Sequence, residues 1–295
     1  MGGVERMGST PLRIWRLAAY LAWTLLLMPV QAVGLIMRRP WTASFPCFYH
    51  RVCCRILGLR VRRIGRATQS RPVLFAANHI SYLDITVFGS LIPGSFIAKR
   101  EIASWPLFGW LARLQRSVFI DRQVRSTAHQ RDSIAGRLAA RDALILFPEG
   151  TSGDGNRLLP FKSALFSVAD HAATGAVTVQ PVSIAYTRLD GMPIGRALRP
   201  LFAWYGTMTL APHLWTLLGL GTVEIVVEFH APTTLAACGS RKALARYCQE
   251  RVARGLASAV SGRRGPRPEA PPAPGSPLEN ERRSTTAETA APVPG

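Results

Sequence analysis

The chain has 295 residues, enough for one large domain or two small ones with a buried core. Its 48 % hydrophobic content against 18 % charged is apolar for a soluble enzyme yet excludes a polytopic membrane protein. The 36 Lys+Arg and 17 Asp+Glu residues give a formal net charge of +19, a field that attracts anionic surfaces. The arginines are scattered between apolar segments, without zinc-finger spacing or basic-region heptads, which favours an acidic lipid surface as partner and argues against nucleic acid. The five cysteines are odd in number, two are adjacent and none forms a C-x-x-C pair. Neither a disulfide framework nor a zinc site is indicated, and a reduced, cytoplasmic setting follows.

In chain order, Leu17 to Met37 is a run of 21 residues without a charge, flanked by Arg13 and Arg16 before it and Arg38 and Arg39 after it. A straight helix of that length reaches about 31 Å, enough to cross the hydrocarbon core. Pro29, Gln31 and Gly34 interrupt its second half, where a bend or re-entry is expected. A signal peptide is the rival reading, with Val30-Gln31-Ala32 as cleavage site, but Arg38 and Arg39 follow at once and favour an uncleaved anchor. Residues 1–45 are therefore expected to be a membrane-anchoring helical segment, and residues 46–260 an α/β domain. From Ser261 onward the chain is rich in Pro, Ala, Arg, Glu and Thr without apolar periodicity, the composition of a disordered tail over 261–295.

Within the α/β domain, short apolar runs predict strands at Val73–Ala77, Ser95–Ala98, Val118–Ile120, Ala143–Phe147, Val177–Ile184 and Val223–Phe229. Helical segments are expected at Asp84–Leu91, Pro106–Leu114, Arg125–Ala140, Phe161–His171 and Lys242–Val260. Such alternation predicts a mixed, mostly parallel sheet with flanking helices. Leu201–Leu220 carries Trp204, Tyr205 and Trp215 among leucines, a pattern of core or of a membrane-interface contact.

Chemistry concentrates in two places. In Asn78-His79-Ile80-Ser81-Tyr82-Leu83-Asp84, a strand delivers His79 to a turn and Asp84 starts a helix. On one continuous helix a spacing of five separates side chains by about 140°, so the pair meets only if the chain bends between them. A strand-to-helix turn supplies the bend, and the helix N-terminus favours the Asp. Asp84 then fixes the tautomer and leaves the second imidazole nitrogen as a general base: the orienting half of a triad without its serine. The second place is Phe147-Pro148-Glu149-Gly150-Thr151-Ser152, again at a strand end, where open α/β sheets hold ligands. Taken singly, a structural histidine and an ordinary turn account for these segments. Neither a G-x-S-x-G elbow nor an H-E-x-x-H pair occurs, which leaves a serine hydrolase or metalloprotease without its usual platform.

Together the blocks resemble the glycerolipid acyltransferases, notably the 1-acylglycerol-3-phosphate acyltransferases. Ala98-Lys99-Arg100-Glu101, Phe119-Ile120-Asp121-Arg122 and Val179-Gln180-Pro181-Val182 agree with that family in order and spacing, over roughly residues 70 to 190. The resemblance implies that His79 removes the proton of an acceptor hydroxyl as it attacks an acyl thioester, with Asp84 supporting it. It implies that Glu149, Gly150 and Thr151 shape the acceptor pocket and that Lys99 and Arg122 face an anionic headgroup. The donor would be acyl-CoA or acyl carrier protein, with no metal or other cofactor, and the enzyme would work on the cytoplasmic side of the inner membrane. Many phosphatidate-forming members have Arg where this chain has Ser152. Arg157 and Lys162 are candidate replacements, and the Gly153-Asp154-Gly155 run is similar to bacterial members that acylate lyso-ornithine lipid. The expected reaction is acylation of lysophosphatidic acid to phosphatidic acid. Lyso-ornithine lipid or another lysolipid is the alternative acceptor, and a catalytically silent lipid-binding protein the alternative of another class.

Overall fold

The structure, a computed structural model, describes residues 8–120, 134, 136–170 and 176–262. Among the described residues nine strands form one sheet: β1 (Leu59–Ile64), β2 (Val73–Ala77), β3 (Ser95–Lys99), β4 (Val118–Ile120), β5 (Ala143–Leu146), β6 (Thr178–Leu189), β7 (Met192–Pro193), β8 (Val223–Phe229) and β9 (Thr233–Thr234). The order is β1-β8-β6-β2-β5-β3-β4, with β7 and β9 added to β6. From β6 through β2, β5 and β3 to β4 every pair is parallel, as is β1 with β8, while β6 meets β8, β7 and β9 antiparallel. The sheet is thus mixed and mostly parallel, as the alternation of apolar runs and helical segments predicts.

β2 and β5 lack a polar residue because helices cover both faces of the sheet there, and every residue of both strands is buried. Alternation along β2 divides the core: Val73, Phe75 and Ala77 face one cluster with Phe88, Phe147 and Tyr186, and Leu74 and Ala76 face another with Phe166, Leu244 and Val252. The helices are α1 (Thr10–Ile36), α2 (Phe45–Ile56), α3 (Leu83–Leu91), α4 (Phe108–Leu114), α5 (Leu210–Leu218), α6 (Leu235–Cys238) and α7 (Arg241–Ser261).

Several elements depart from the sequence reading. β1 carries three arginines and shows no strand pattern in isolation; it forms because β8 offers a parallel edge, with Arg60, Arg62 and Arg63 exposed. β6 runs five residues beyond the expected Ile184, since β8 pairs with it as far as Leu189. The segment expected to be helical at Phe161–His171 is a 3-10 helix over Ser163–Asp170, and only residues 134 and 136–139 of the expected Arg125–Ala140 helix lie within the described residues as helix. The predicted tail after Ser261 falls outside them, Gly262 apart.

α1 is long and apolar enough by length and composition to cross a membrane, and it continues through Pro29 to Ile36. Its packing is inverted: Arg13, Arg16, Thr24, Gln31 and Gly34 are its buried residues, while Trp15, Leu25, Leu26, Val33 and Ile36 are exposed. Arg16 donates to the carbonyls of Leu218, Leu220 and Gly221 at 3.2, 2.6 and 3.1 Å. Thr24 meets the Tyr49 hydroxyl at 2.8 Å, and Gln31 donates to the carbonyls of Thr42 and Leu114 at 3.0 Å each. Polar groups along its inner face thus fasten both halves of α1 to the α/β domain.

Candidate active site

Because β2, β5, β3 and β4 are parallel, their C-terminal ends share one sheet edge. His79 follows β2, Glu149 follows β5 and Lys99 ends β3, so residues far apart in sequence converge there.

The turn after β2 is built around Asp84, which is fully buried. Its Oδ2 accepts from the backbone N–H of Ile80 at 2.6 Å and of Ser81 at 3.0 Å, and from His79 Nδ1 at 2.8 Å. Its Oδ1 accepts from the Tyr186 hydroxyl at 2.7 Å. With every neighbour a donor, Nδ1 of His79 carries the proton and Nε2 keeps its lone pair. The imidazole stacks on Phe147 with 4.1 Å between ring centres and stays 22 % exposed. Asn78 holds the turn from the other side: its side chain donates to Ile184 O at 3.0 Å and accepts from Ile184 N at 2.8 Å, extending the β2–β6 ladder by one side chain.

Glu149 is buried too, and each of its oxygens accepts a backbone N–H, that of His79 at 2.8 Å and that of Leu159 at 3.1 Å. Burial pushes its pKa up to about 8 against the opposing pull of these donors, with Asp84 adding to the rise. Glu149 thus ties the His79 turn to the following loop through the backbone of His79, not through its imidazole. Gly153 N donates to His79 O at 2.9 Å, joining the same two segments. Gly150 has φ +75°, and a Cβ there would come within 2.9 Å of Lys162 Nζ, so Lys162 lies across this turn.

A cavity of about 250 Å³ opens beside His79. Leu17, Met28, Leu83, Phe108 and Leu214 are among its apolar walls, drawn from α1, α3, α4 and α5. Trp204 and Tyr82 stand in this wall as well. Tyr82 donates to His213 Nδ1 at 3.0 Å, the His213 Nε2–H being engaged by Leu201 O at 3.1 Å.

The residues expected from sequence are therefore brought together unequally. His79 and Asp84 are in contact, and Glu149 joins them through backbone. Lys162 lies over Gly150. Thr151, Arg157 and Lys99 are exposed on or near the same edge. Ser152 is turned to another purpose: its hydroxyl donates to the carbonyl of Trp204. Arg122 lies outside the described residues. Tyr186 was not legible from sequence, since it reaches Asp84 from 102 residues away with no motif around it. Among the described residues no group of three or more His, Cys, Asp or Glu is arranged to hold a metal ion.

Comparison with known proteins identifies the family and the fold. A family model described as Acyltransferase matches residues 58–185. The lyso-ornithine lipid O-acyltransferase of Brucella abortus is 46 % identical over 84 % of this chain and 95 % of its own length. That of Rhizobium meliloti is 44 % identical, over 85 % and 88 %. The 1-acyl-sn-glycerol-3-phosphate acyltransferase of Neisseria gonorrhoeae is 34 % identical over 64 % and 72 %. The crystal structure of the 1-acyl-sn-glycerophosphate acyltransferase PlsC of Thermotoga maritima shares the fold, with a TM-score of 0.56 at 23 % identity, over 82 % of this chain and 97 % of that one. The motif blocks and these relatives together make the chain a member of the lysolipid O-acyltransferase family.

Proposed function

We propose that the enzyme esterifies the free hydroxyl of lyso-ornithine lipid, taking a fatty acyl group from a thioester of acyl carrier protein or coenzyme A. The observation that carries this choice is the 46 % identity, over 95 % of its length, to a relative bearing that name, against 34 % over 72 % for a lysophosphatidate-acylating relative. Ser152 supports it, because the position that holds phosphate in many phosphatidate-forming enzymes is here an uncharged side chain hydrogen-bonded to Trp204. Lysophosphatidic acid, the acceptor first expected, becomes the second reading, favoured by the exposed cations Lys99, Arg157 and Lys162 near the site.

In the proposed reaction Nε2 of His79 takes the acceptor hydroxyl proton as the oxygen attacks the thioester carbonyl carbon. The imidazolium that forms is stabilised by the buried Asp84 carboxylate, and Phe147 and the Asp84 contact hold the ring in place. Collapse of the tetrahedral intermediate breaks the C–S bond, and the leaving thiolate takes the proton back from Nε2. The apolar cavity beside His79 is the place for an acyl chain. Glu149 acts as a positioning residue, holding the His79 backbone against the loop that follows β5. The outward apolar face of α1, together with exposed Phe48 and Trp110, is proposed to lie in the cytoplasmic-side leaflet of the inner membrane. A helix fastened along its inner face by Arg16, Thr24 and Gln31 suits that placement better than a crossing.

Purified enzyme offered a labelled acyl thioester with each acceptor tests the choice. Turnover of lyso-ornithine lipid is expected; turnover of lysophosphatidate alone overturns it. His79→Ala should abolish transfer while membrane binding persists, and retained turnover would remove His79 from the role of base.

A further inference from the structure

The loop after Glu149 carries the run Gly153-Asp154-Gly155-Asn156-Arg157, which takes no part in the acyl transfer itself. Its two glycines are pressed against the turn that holds His79. Gly153 N donates to His79 O at 2.9 Å, and a Cβ on Gly155, where φ is +76°, would come within 3.3 Å of Ile80 Cγ2. Both glycines are buried, whereas Asp154 between them is partly exposed. The loop thus seats one accessible carboxylate on the reacting turn.

Asp154 is held there by its own loop. Oδ1 accepts from the backbone N–H of Asn156 at 2.9 Å, and Oδ2 from the Asn156 side-chain amide at 3.4 Å. Asn156 is fixed in turn by Arg199, which donates to Asn156 Oδ1 and to Val260 O at 3.2 Å each. Slight burial opposes ionisation of Asp154, but the bonds from Asn156 and Arg157 and the charge of Arg157 prevail and hold its carboxyl below the usual range. Among the described residues Asp154 enters no salt bridge. A carboxylate offers about four acceptor sites, and these contacts occupy only part of them. The other two carboxylates at the turn are committed: Asp84 is buried against His79, and Glu149 is buried and keeps its proton up to about pH 8.

The two rival acceptors differ in the feature that such a carboxylate reads. A phosphate monoester headgroup is purely anionic. An ornithine acylated on its α-amine carries an α-carboxylate and a side-chain ammonium. Along an extended path that ammonium lies about 10 Å from the hydroxyl to be esterified. With the hydroxyl at His79, this span covers the short step through Gly153 to Asp154.

We propose that Asp154 is a specificity-determining residue that receives the side-chain ammonium of the acceptor, with exposed Arg157 of the same loop facing its carboxylate. The loop then presents opposite charges to a zwitterion, and the Asp154 carboxylate disfavours a phosphate in the same place. This inference rests on the lyso-ornithine reading of the site.

Asp154→Asn deletes the charge and keeps an oxygen for the Asn156 N–H, so the loop should persist. The parent protein, this variant and Glu101→Gln, which alters the exposed carboxylate near Lys99, are assayed with a fixed acyl thioester. Three acceptors are compared: lyso-ornithine lipid, its norvaline counterpart, which lacks the ammonium, and lysophosphatidate. With lyso-ornithine lipid, kcat/KM of Asp154→Asn should fall about tenfold, and the gap should narrow at high salt. With the norvaline counterpart, parent and variant should be equal, and lysophosphatidate should be used no less well by the variant. A residue that only shapes the loop would lower all three alike. That pattern, unchanged kinetics, or a selective loss in Glu101→Gln instead overturns the proposal. If Asp154→Asn folds poorly, the parent protein decides: a tenfold preference for lyso-ornithine lipid over its norvaline counterpart supports the proposal, and equal kcat/KM overturns it. Turnover of lysophosphatidate alone by the parent protein would instead refute the lyso-ornithine reading.

Discussion

Asp84→Asn separates charge from geometry at the reacting imidazole. In most carboxylate–histidine pairs an amide scrambles the tautomer, because its NH₂ can face the ring. Here the surroundings choose the orientation. Three donors crowd Oδ2, from Ile80, Ser81 and His79, whereas among the described residues the rotatable Tyr186 hydroxyl alone donates to Oδ1. The oxygen of the introduced amide should therefore occupy the Oδ2 side, and Tyr186 should turn its lone pair toward the NH₂ group. The ring stays in place with Nδ1 protonated, and what is lost is the negative charge opposite the imidazolium. For unit charges about 4 Å apart, an effective dielectric constant near 20 gives about 4 kcal/mol. At 1.36 kcal/mol per decade that is about a 10³-fold fall in kcat. KM for both substrates should hardly move, since Asp84 is fully buried behind the ring. Steady-state kinetics on the variant, with histidine nitrogen NMR to report the tautomer, is the assay. A fall of less than tenfold with the tautomer preserved would refute the electrostatic role; a changed tautomer would refute the orientation argument built on Tyr186.

Two further outcomes follow from burial. Glu149, with a folded-state pKa of about 8 against an ordinary value of 4.5, holds its proton where the unfolded chain has already released it. Its contribution to stability is thus full below pH 4.5 and is lost as pH rises toward 8, over a range worth about 3–5 kcal/mol. Thermal unfolding should show Glu149→Gln close to the parent protein at pH 5 and above it at pH 8, because the amide stays neutral where the parent loses stability; a gap independent of pH would contradict the buried-acid reading. Arg16→Met leaves three carbonyls of the 218–221 turn without their donor, a loss of about 2–4 kcal/mol localised to the α1 contact. Hydrogen exchange should then accelerate in the first turns of α1 and at residues 218–221 while β2 and β5 stay protected, and equal acceleration throughout the chain would count against local docking.

The His79–Asp84 pair, the Phe-Pro-Glu-Gly-Thr turn and the apolar strands before them were legible in the residues themselves. Each depends on local constraints: a buried parallel strand has to be apolar throughout, and a strand-to-helix turn brings residues five apart into contact. β1 was not, because an arginine-rich segment becomes a strand only when β8 provides its edge. Tyr186 was not, because its hydrogen bond to Asp84 spans 102 residues and is created by the pairing of β6 with β2. The polar inner face of α1 read in sequence as defects in an anchor, and packing turned Arg16 and Gln31 into fastenings to particular carbonyls. Ser152 marks the same divide. Its identity alone showed that a phosphate-holding arginine is absent; only the folded chain decided that its hydroxyl meets Trp204, since that contact requires two loops 52 residues apart to meet beside the His79 turn.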